Sequence, residues 1–177
     1  TFSSDLKERI YQDTQGNAFL LTQLINSLLE QGCPSIMPSN MNDIVSYRLS
    51  GLSAEGQQVL NLVAMFPDAA PYEVLEHISN KAPLDLLYIC QELCRRSILA
   101  ELQDGGQLSL VFAQPEFRDL VYAQIHPLSR RIIHLNIATA LTHFTSMQVP
   151  GLASQIIYHY QQGGDKRNAL RYQIKFL

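Results

Sequence analysis

The residues of this chain best suited to chemistry are its cysteines. Cys90 and Cys94 lie four positions apart in a helical pattern, a spacing that a metal site or a redox pair could use. With Cys33 there are three cysteines, so any pairing leaves one over, and a chain of this size does not require disulfides. The apolar neighbours favour a simpler interpretation, in which Cys90 and Cys94 are small hydrophobic side chains on a buried helix face.

Histidines and carboxylates are too scattered to predict a catalytic or metal site. His126, His134 and His143 have no histidine or carboxylate three or four positions away that could share a metal from the same helix, so we expect helix-surface or capping roles for them. Glu73 and Glu76 belong to a solvated first-turn cluster that suits a helix dipole. The sequence also lacks the GxxxxGK[ST], GxSxG, HExxH and CxxC motifs, so we predict that these residues catalyse nothing.

Composition points to a cytoplasmic protein without a membrane partner. The chain has 177 residues, of which 46% are hydrophobic, and a net charge of −3. No apolar run approaches the ~18 residues of a membrane span, and no charged-then-apolar leader begins the chain. The three cysteines agree with a reducing compartment.

The elements that must position any site begin with an apolar helix. The stretch 14–32 reads TQGNAFLLTQLINSLLEQG, where Asn17 is a plausible N-cap, leucine and isoleucine recur on one stripe, and Gly32 occupies a C-cap position. Pro34 and Pro38 then mark a connector. We therefore place the first boundary of the chain between residues 33 and 34.

Residues 34–127 have the element order of a winged-helix domain. Helical patterns follow one another up to Arg96, with Ser53 as a predicted N-cap and Pro71 in a predicted first turn. Two short strands then flank the turn at 104–106 and predict a β-hairpin. A further helix begins near Pro115.

From Pro127 onward the pattern is helical again, and the charge changes sign. Residues 38–126 hold five lysines and arginines against eleven acidic residues, a net of −6, whereas residues 127–177 hold six against one, a net of +5. The last helical pattern is still running at Leu177, so we expect the chain to be a piece of a longer protein.

Charge and pattern argue against DNA binding by the winged-helix segment. Its helix before the hairpin, which normally enters the major groove, begins PLDLLY from Pro83, with apolar groups and a carboxylate where phosphates would pass. Arg95 and Arg96 lie at the opposite end, where they complement the helix C-terminus. Because residues 38–126 carry a net charge of −6, electrostatics and counterion release work against DNA binding. We expect a packing and signalling module without direct nucleic-acid contacts.

The order of segments resembles STAND proteins, the signal-transduction ATPases related to AAA+. GNAFLLTQLINSLLEQG, a linker and NDIVSYRLSGLSAEGQQVLNLVAMF are similar to the C-terminal part of their ATPase module. LLYICQELCRRSILAEL and LVFAQPEFRDLVYAQIHPLSRRIIHLNIATAL resemble their following segments, and IIYHYQQGGDKRNALRYQIKF resembles the start of their tetratricopeptide-like (TPR-like) repeats. The matches run in order over nearly the whole chain, and the resemblance is to STAND-type regulators of the large LuxR-type bacterial activator kind.

This resemblance implies a mainly α fold in three segments. Residues 1–33 would be the C-terminal lid helices of an ATPase module, 34–127 a winged-helix-like domain with a small β-hairpin, and 128–177 the start of α-helical TPR-like hairpins. In the family, a Gly-Asn-Pro turn lies over the adenine of the nucleotide. Gly16, Asn17 and Ala18 match that turn with alanine in place of proline.

The resemblance further implies that the phosphate loop lies upstream of this chain. The chain would then contain no cofactor, although the full-length protein would bind ATP or ADP. Its partners would be the upstream nucleotide-binding domain and the downstream helical repeats, with a small-molecule or protein inducer at the repeats. We also hypothesise an electrostatic contact between the acidic and basic segments, involving Arg130, Arg131 and Arg171.

The function expected from this resemblance is non-catalytic regulation. The chain would couple the nucleotide state of a multidomain ATP-dependent signalling protein, foremost a transcriptional regulator, to its helical sensor region. The same module in a protein kinase or nucleotide cyclase is an alternative. Two other classes stay open: a direct DNA-binding winged-helix protein, and an autonomous helical scaffold that binds a peptide or a small inducer.

Overall fold

A computed structural model of the chain describes residues 41–104, 106–144 and 152–175, together with residues 7, 8, 10, 11, 21, 22, 25 and 29. The chain divides into two compact units, Thr1–Gln57 and Gln58–Leu177. In the part that is described, no helix combines the length and the apolar character needed to cross a bilayer. The predicted segments 1–33, 34–127 and 128–177 stay predictions.

From residue 41 onward, the described chain is mainly helical with three short strands, and the predicted fold class is confirmed. The helices are α1 (Met41–Ser50), α2 (Ala54–Ala64), α3 (Tyr72–Ile78), α4 (Pro83–Arg95), α5 (Pro115–Gln124), α6 (Pro127–His143), α7 (Leu152–Gly163) and α8 (Lys166–Lys175). The strands are β1 (Ala70–Pro71), β2 (Leu99–Asp104) and β3 (Gln107–Phe112).

In the first unit, local hydrogen bonds fix the turn from α1 into α2. Ser53 is the N-cap that its position predicts, because its Oγ accepts a hydrogen bond from the backbone N–H of Gly56 at 3.0 Å. The side chain of Gln57 donates from Nε2 to the carbonyl oxygen of Leu49 at 2.8 Å. Both bonds satisfy backbone groups that the helix ends would otherwise leave open.

The predicted β-hairpin is present in the second unit. β2 and β3 pair antiparallel from Leu99 opposite Phe112 to Asp104 opposite Gln107. Gly106 in the turn has φ of 85°, a left-handed conformation that glycine adopts without steric cost.

A third strand, which the sequence does not predict, extends this sheet in the order β1–β3–β2. Ala70 pairs with Leu110 and Pro71 with Ser109. Pro71 therefore lies in an edge strand and precedes α3, rather than standing in its first turn as predicted. An edge strand suits proline because proline has no N–H to donate to a ladder. Two residues are too few to show the alternation by which strands are recognised.

The passage from α4 into the hairpin is a tight left-handed turn. The backbone N–H of Ser97 donates to the carbonyl oxygen of Cys94 at 2.8 Å, and that of Ile98 donates to Leu93 at 3.0 Å. Ser97 has φ of 53°, so these two bonds form the Schellman arrangement that ends many helices. The chain then enters β2 through Ile98 and Leu99, which are both buried.

The second unit has an apolar core. Residues 58–124, which we call the sheet-containing part because they include β1–β3, and the later helices α6–α8 both contribute to it. α6 packs along α7, α7 along α8, and α3 contacts both β3 and α6. On α2, Val59, Leu60 and Val63 are buried. Buried side chains of the core include Val59, Leu60, Phe66, Leu75, Leu86, Leu93, Leu110, Phe117, Ile137, Leu141 and Ile156.

Candidate functional site

The predicted adenine-side turn lies outside the described residues. The role of Gly16, Asn17 and Ala18 therefore stays a prediction. Among the residues that are described, no three histidine, cysteine or acidic side chains converge where they could hold a metal ion.

Cys90 has the environment of a core side chain. It is buried on α4, whereas Cys94 is partly exposed one turn later. Burial, with smaller effects of Cys94 and Glu101, raises the pKa of Cys90 to about 12. The thiol of Cys90 is therefore protonated at neutral pH and a poor nucleophile or ligand, which agrees with the hydrophobic interpretation of this residue.

The surface of α4 is apolar where a DNA-reading helix would be basic. Leu84 and Tyr88, one turn apart, are each 65% exposed. The two arginines at the other end of the helix are both bound to Glu92, at 2.7 Å for Arg95 and 2.6 Å for Arg96. Hydrogen bonds from these arginines lower the pKa of Glu92, so the carboxylate keeps its charge and neutralises part of theirs.

The most unusual arrangement in the described residues is a pair of buried histidines on α6 and α7. His134 is 1% exposed and His159 is fully buried. Their Nδ1 atoms lie 2.8 Å apart, so one ring donates a hydrogen bond to the other. The hydroxyl of Tyr122 on α5 lies 3.1 Å from Nε2 of His134 and continues the chain of hydrogen bonds. Three consecutive helices therefore meet at one polar cluster.

Phe66, just beyond α2, closes this cluster. Its ring meets that of His159 edge-on, with centroids 5.0 Å apart. Arg118 on α5 donates from Nε to the carbonyl oxygen of Phe66 at 2.9 Å, which holds the same residue from the backbone side. We call His134, His159, Tyr122 and Phe66 the histidine joint, because they connect the sheet-containing part of the second unit to the α6–α7 pair.

Both histidines of the joint are neutral at physiological pH. Burial, reinforced by the positive charges of Arg118 and Arg130, lowers the pKa of His134 to about 4. Burial and the proximity of His134 lower the pKa of His159 to about 3. Nε2 of His159 is buried and has no hydrogen-bond partner among the described residues, so a proton there would be poorly solvated. The joint is therefore a structural contact and not an acid–base pair open to substrate.

The sequence-based expectation for these histidines was only partly right. His126 is the N-cap of α6, where its Nδ1 accepts a hydrogen bond from the backbone N–H of Leu128 at 3.3 Å, and His143 is exposed. The surface or capping role expected for His134 is wrong, because this residue is in the core. Helical spacing carried the missed signal: His134 precedes buried Ile137 and Leu141 by three and seven positions.

Two arginines of the hypothesised electrostatic contact are used locally. The guanidinium of Arg130 lies over the ring of Tyr122, 4.8 Å from its centroid. Arg131 donates from Nε to the carbonyl oxygen of Gly163 at 3.4 Å, and its guanidinium also lies beside Gly164. Both therefore help to hold α6 against its neighbours. The contact between acidic and basic segments stays a hypothesis.

Comparison with known proteins supports the fold. No protein-family model matches the chain, and no curated protein sequence is significantly similar to it. A similar solved structure is the Signal Transduction ATPase with Numerous Domains (STAND) protein with a tetratricopeptide repeat sensor from Pyrococcus horikoshii. The match has a TM-score of 0.63 and 16% sequence identity, and it covers 99% of this chain. The chain spans 25% of the length of that protein.

Proposed function

We propose that this chain is a non-catalytic regulatory segment of a multidomain, ATP-dependent signalling protein. Its task is to couple a nucleotide-binding domain, which would precede it, to a helical sensor region that begins with α6–α8. Coupling of this kind needs an element that biases the two ends together. The segment itself would bind no cofactor and turn over no substrate.

The histidine joint is the observation that carries this proposal. Separating His134 and His159 from Tyr122 and Phe66 would expose buried apolar surface and break the hydrogen bonds within the joint. A displacement of the α6–α7 pair therefore acts on the end of α2 and on α5 instead of being absorbed at a flexible linker. That property suits a segment whose role is transmission.

The context of the proposal comes from the fold. A STAND protein with a tetratricopeptide repeat sensor has the same fold over the length of this chain, which supports a position beside a sensor region. Within this context we propose a transcriptional regulator of the LuxR type in the cytoplasm, with a protein kinase or nucleotide cyclase as the alternative output. The apolar surface of α4 argues against direct DNA binding by this segment.

For the full-length protein we propose ATP or ADP as the nucleotide, with the turn of Gly16, Asn17 and Ala18 beside the adenine. Alanine lacks the rigid ring that the resembled family has at this place. Replacing Ala18 by proline in the full-length protein should therefore tighten nucleotide binding, and a weaker or unchanged Kd would argue against this role for the turn.

Two variants of the joint test the proposal in the complete gene product. His159→Ala leaves a cavity in the joint and should loosen it, whereas the double substitution His134→Leu and His159→Leu keeps apolar packing without the polar pair. We expect His159→Ala to uncouple ATP turnover and oligomer formation from the state of the sensor region. The double leucine variant should retain coupling.

A substitution outside the joint serves as the control. Gln124→Ala removes an exposed side chain at the end of α5 and should leave turnover and oligomer formation unchanged. Equal coupling in the wild type and in a folded His159→Ala variant would contradict the proposal. So would ATP hydrolysis by the 177-residue chain on its own.

A further inference from the structure

A polar cleft lies between the end of α3 and the middle of α6, apart from the histidine joint. Its volume is about 260 Å3, and its lining residues come from these two helices and from the turn after α3: His77, Ile78, Asn80, Asn136, Thr139 and Ala140. We propose that this cleft binds a small, neutral, planar molecule with an amide edge, such as a pyrimidine base or a ring that carries a carboxamide.

The lining selects for an uncharged ligand. None of the six residues is a lysine, arginine, aspartate or glutamate. A charged ligand would therefore meet no opposite charge among the lining side chains. Ile78 and Ala140 add apolar surface that a ring can cover.

Two carboxamides provide the recognition that an amide edge requires. Each of Asn80 and Asn136 carries an acceptor oxygen and a donor NH2 group; both residues are exposed, and neither side chain hydrogen-bonds to another described residue. A carboxamide pairs with a neighbouring donor and acceptor on a flat ring, as asparagine does with adenine. Thr139 Oγ donates to the carbonyl oxygen of Leu135 at 2.9 Å and also hydrogen-bonds to Tyr160, so the two asparagines carry the recognition.

The walls of the cleft are held in place from outside it. The ring of His77 lies 5.7 Å from that of His143 and meets Phe144 edge-on at 6.3 Å. Asn80 has φ of 54° directly after the C-cap residue Ser79, so its side chain starts from a defined left-handed position. The imidazole of His77 gives a planar ligand a ring to lie against.

The volume suits a ligand of one ring. An apolar cavity of about 150 Å3 accommodates benzene. A cleft of 260 Å3 therefore has room for a six-membered ring with its polar substituents. It is smaller than the pockets of about 300–1,000 Å3 that hold drug-sized molecules.

Ligand binding in the cleft would also affect regulation, an inference that rests on the proposed function. α3 belongs to the sheet-containing part of the unit and α6 to the helical pair, so a ligand that contacts both favours the arrangement in which the cleft is formed. The binding site itself rests on the lining alone.

The test is a titration of the 177-residue chain, labelled with 15N, followed by NMR. Uracil and nicotinamide are the probes, and myo-inositol is a neutral polyol without an amide edge. We expect saturable shifts of the Asn80 and Asn136 side-chain amides by uracil or nicotinamide, with a Kd on the order of 1 mM, as befits so small a ligand.

Substitutions locate the binding. Asn80→Gly keeps a residue that tolerates positive φ, and Asn136→Ala favours the helix, so both should fold. Each should weaken binding about 10-fold, the usual effect of losing hydrogen bonds of this kind. Gln91→Ala, at an exposed position of α4 outside the cleft, is the control and should bind like the wild type.

Three results would overturn the proposal: no saturable shift up to about 10 mM probe, inositol binding as tightly as the amides, or equal affinity in the wild type and both asparagine variants. These outcomes are separate from the test of the proposed function. Coupling through the joint would survive a failure of the cleft to bind, and the cleft could bind its probes in a protein whose joint transmits nothing.

Discussion

At the scale of single residues, the feature that most shapes this molecule is the pairing of two imidazoles in an apolar core. His134 and His159 each give up hydration, and their mutual hydrogen bond of 2.8 Å recovers part of that loss. The packing of the two rings requires both imidazoles to be neutral, so the stability of the folded chain depends on pH.

Acid should therefore weaken the second unit through these two residues. In the unfolded chain a histidine titrates near 6.5, whereas in the folded chain the pKa is about 4 for His134 and about 3 for His159. The stabilising effect is complete above pH 6.5, and it is lost as the pH falls from 6.5 towards 4, because only the unfolded state takes up protons there. The slope is at most about 1.4 kcal/mol per pH unit for each histidine.

Urea unfolding at several pH values between 7 and 4 measures this effect. Carboxylates also titrate in the lower part of this range, so the wild type is compared with the double variant His134→Leu and His159→Leu. The difference between the two free energies of unfolding should shift in favour of the variant as the pH falls. A difference that does not change with pH would show that the histidines are not buried and neutral.

Gly163 offers a second test at this scale, because α7 and α6 approach closely there. A Cβ at this position would lie 2.6 Å from Cδ2 and 2.7 Å from Cγ of Leu135. We expect Gly163→Ala to lower the free energy of unfolding by about 1–3 kcal/mol through overpacking. Thermal or urea denaturation measures the change.

A double-mutant cycle identifies the cause. In a Leu135→Ala background, Gly163→Ala should cost less, with a coupling of about 1 kcal/mol. Gln161→Ala on the exposed side of α7 is the control and should change stability by under ~0.5 kcal/mol. Strict additivity of the two substitutions would rule out the close approach of Gly163 to Leu135.

Single residues also show where sequence reasoning succeeds and fails. Ser53 is identifiable as an N-cap because the capping bond is made within four residues. The histidine pair is not, because its two members are 25 positions apart and become partners only when α6 and α7 pack together. Periodicity places His134 on a buried face, but it does not say what lies opposite.

At the scale of elements, α4 has the position of a DNA-reading helix but not its surface. It precedes the hairpin, as a groove-binding helix would, yet its exposed stripe includes Leu84 and Tyr88. Its basic residues, Arg95 and Arg96, share the carboxylate of Glu92. A surface with this mixture is typical of protein contacts rather than of phosphate contacts.

An electrophoretic mobility shift with random duplex DNA at about 50 mM salt tests this directly. The chain should cause no retardation, and the variant with Arg95→Glu and Arg96→Glu should behave in the same way. Retardation that disappears in the variant and weakens with salt would contradict the account of α4 and support the DNA-binding alternative.

Elements were more predictable than their partners. The hairpin follows from a change of hydrophobic period and a glycine turn, both of which are local. β1 has two residues and exists only because β3 is beside it, so no local pattern predicts it. The predicted nucleotide turn of Gly16, Asn17 and Ala18 lies outside the described residues and stays a prediction.

At the scale of the molecule, residues 58–175 join a small sheet and a series of helices in one compact unit. Apart from β1, the order of these elements could be predicted from the sequence, since each has its own periodicity. The packing of these elements into one unit could not be predicted, because it depends on long-range contacts at the histidine joint and in the core. The boundary that the change of charge predicts near Pro127 stays a prediction.

The sheet-containing part and the α6–α7 pair should open together, because the histidine joint connects them. Native-state hydrogen exchange of the 177-residue chain measures this at the buried amides of Leu60, Leu110, Ile137 and Ile156. We predict that their free energies of opening agree within about 1 kcal/mol in the wild type. In His159→Ala, those on α6 and α7 should fall below the others. Separate opening of α6 and α7 in the wild type, unchanged by His159→Ala, would contradict the claim.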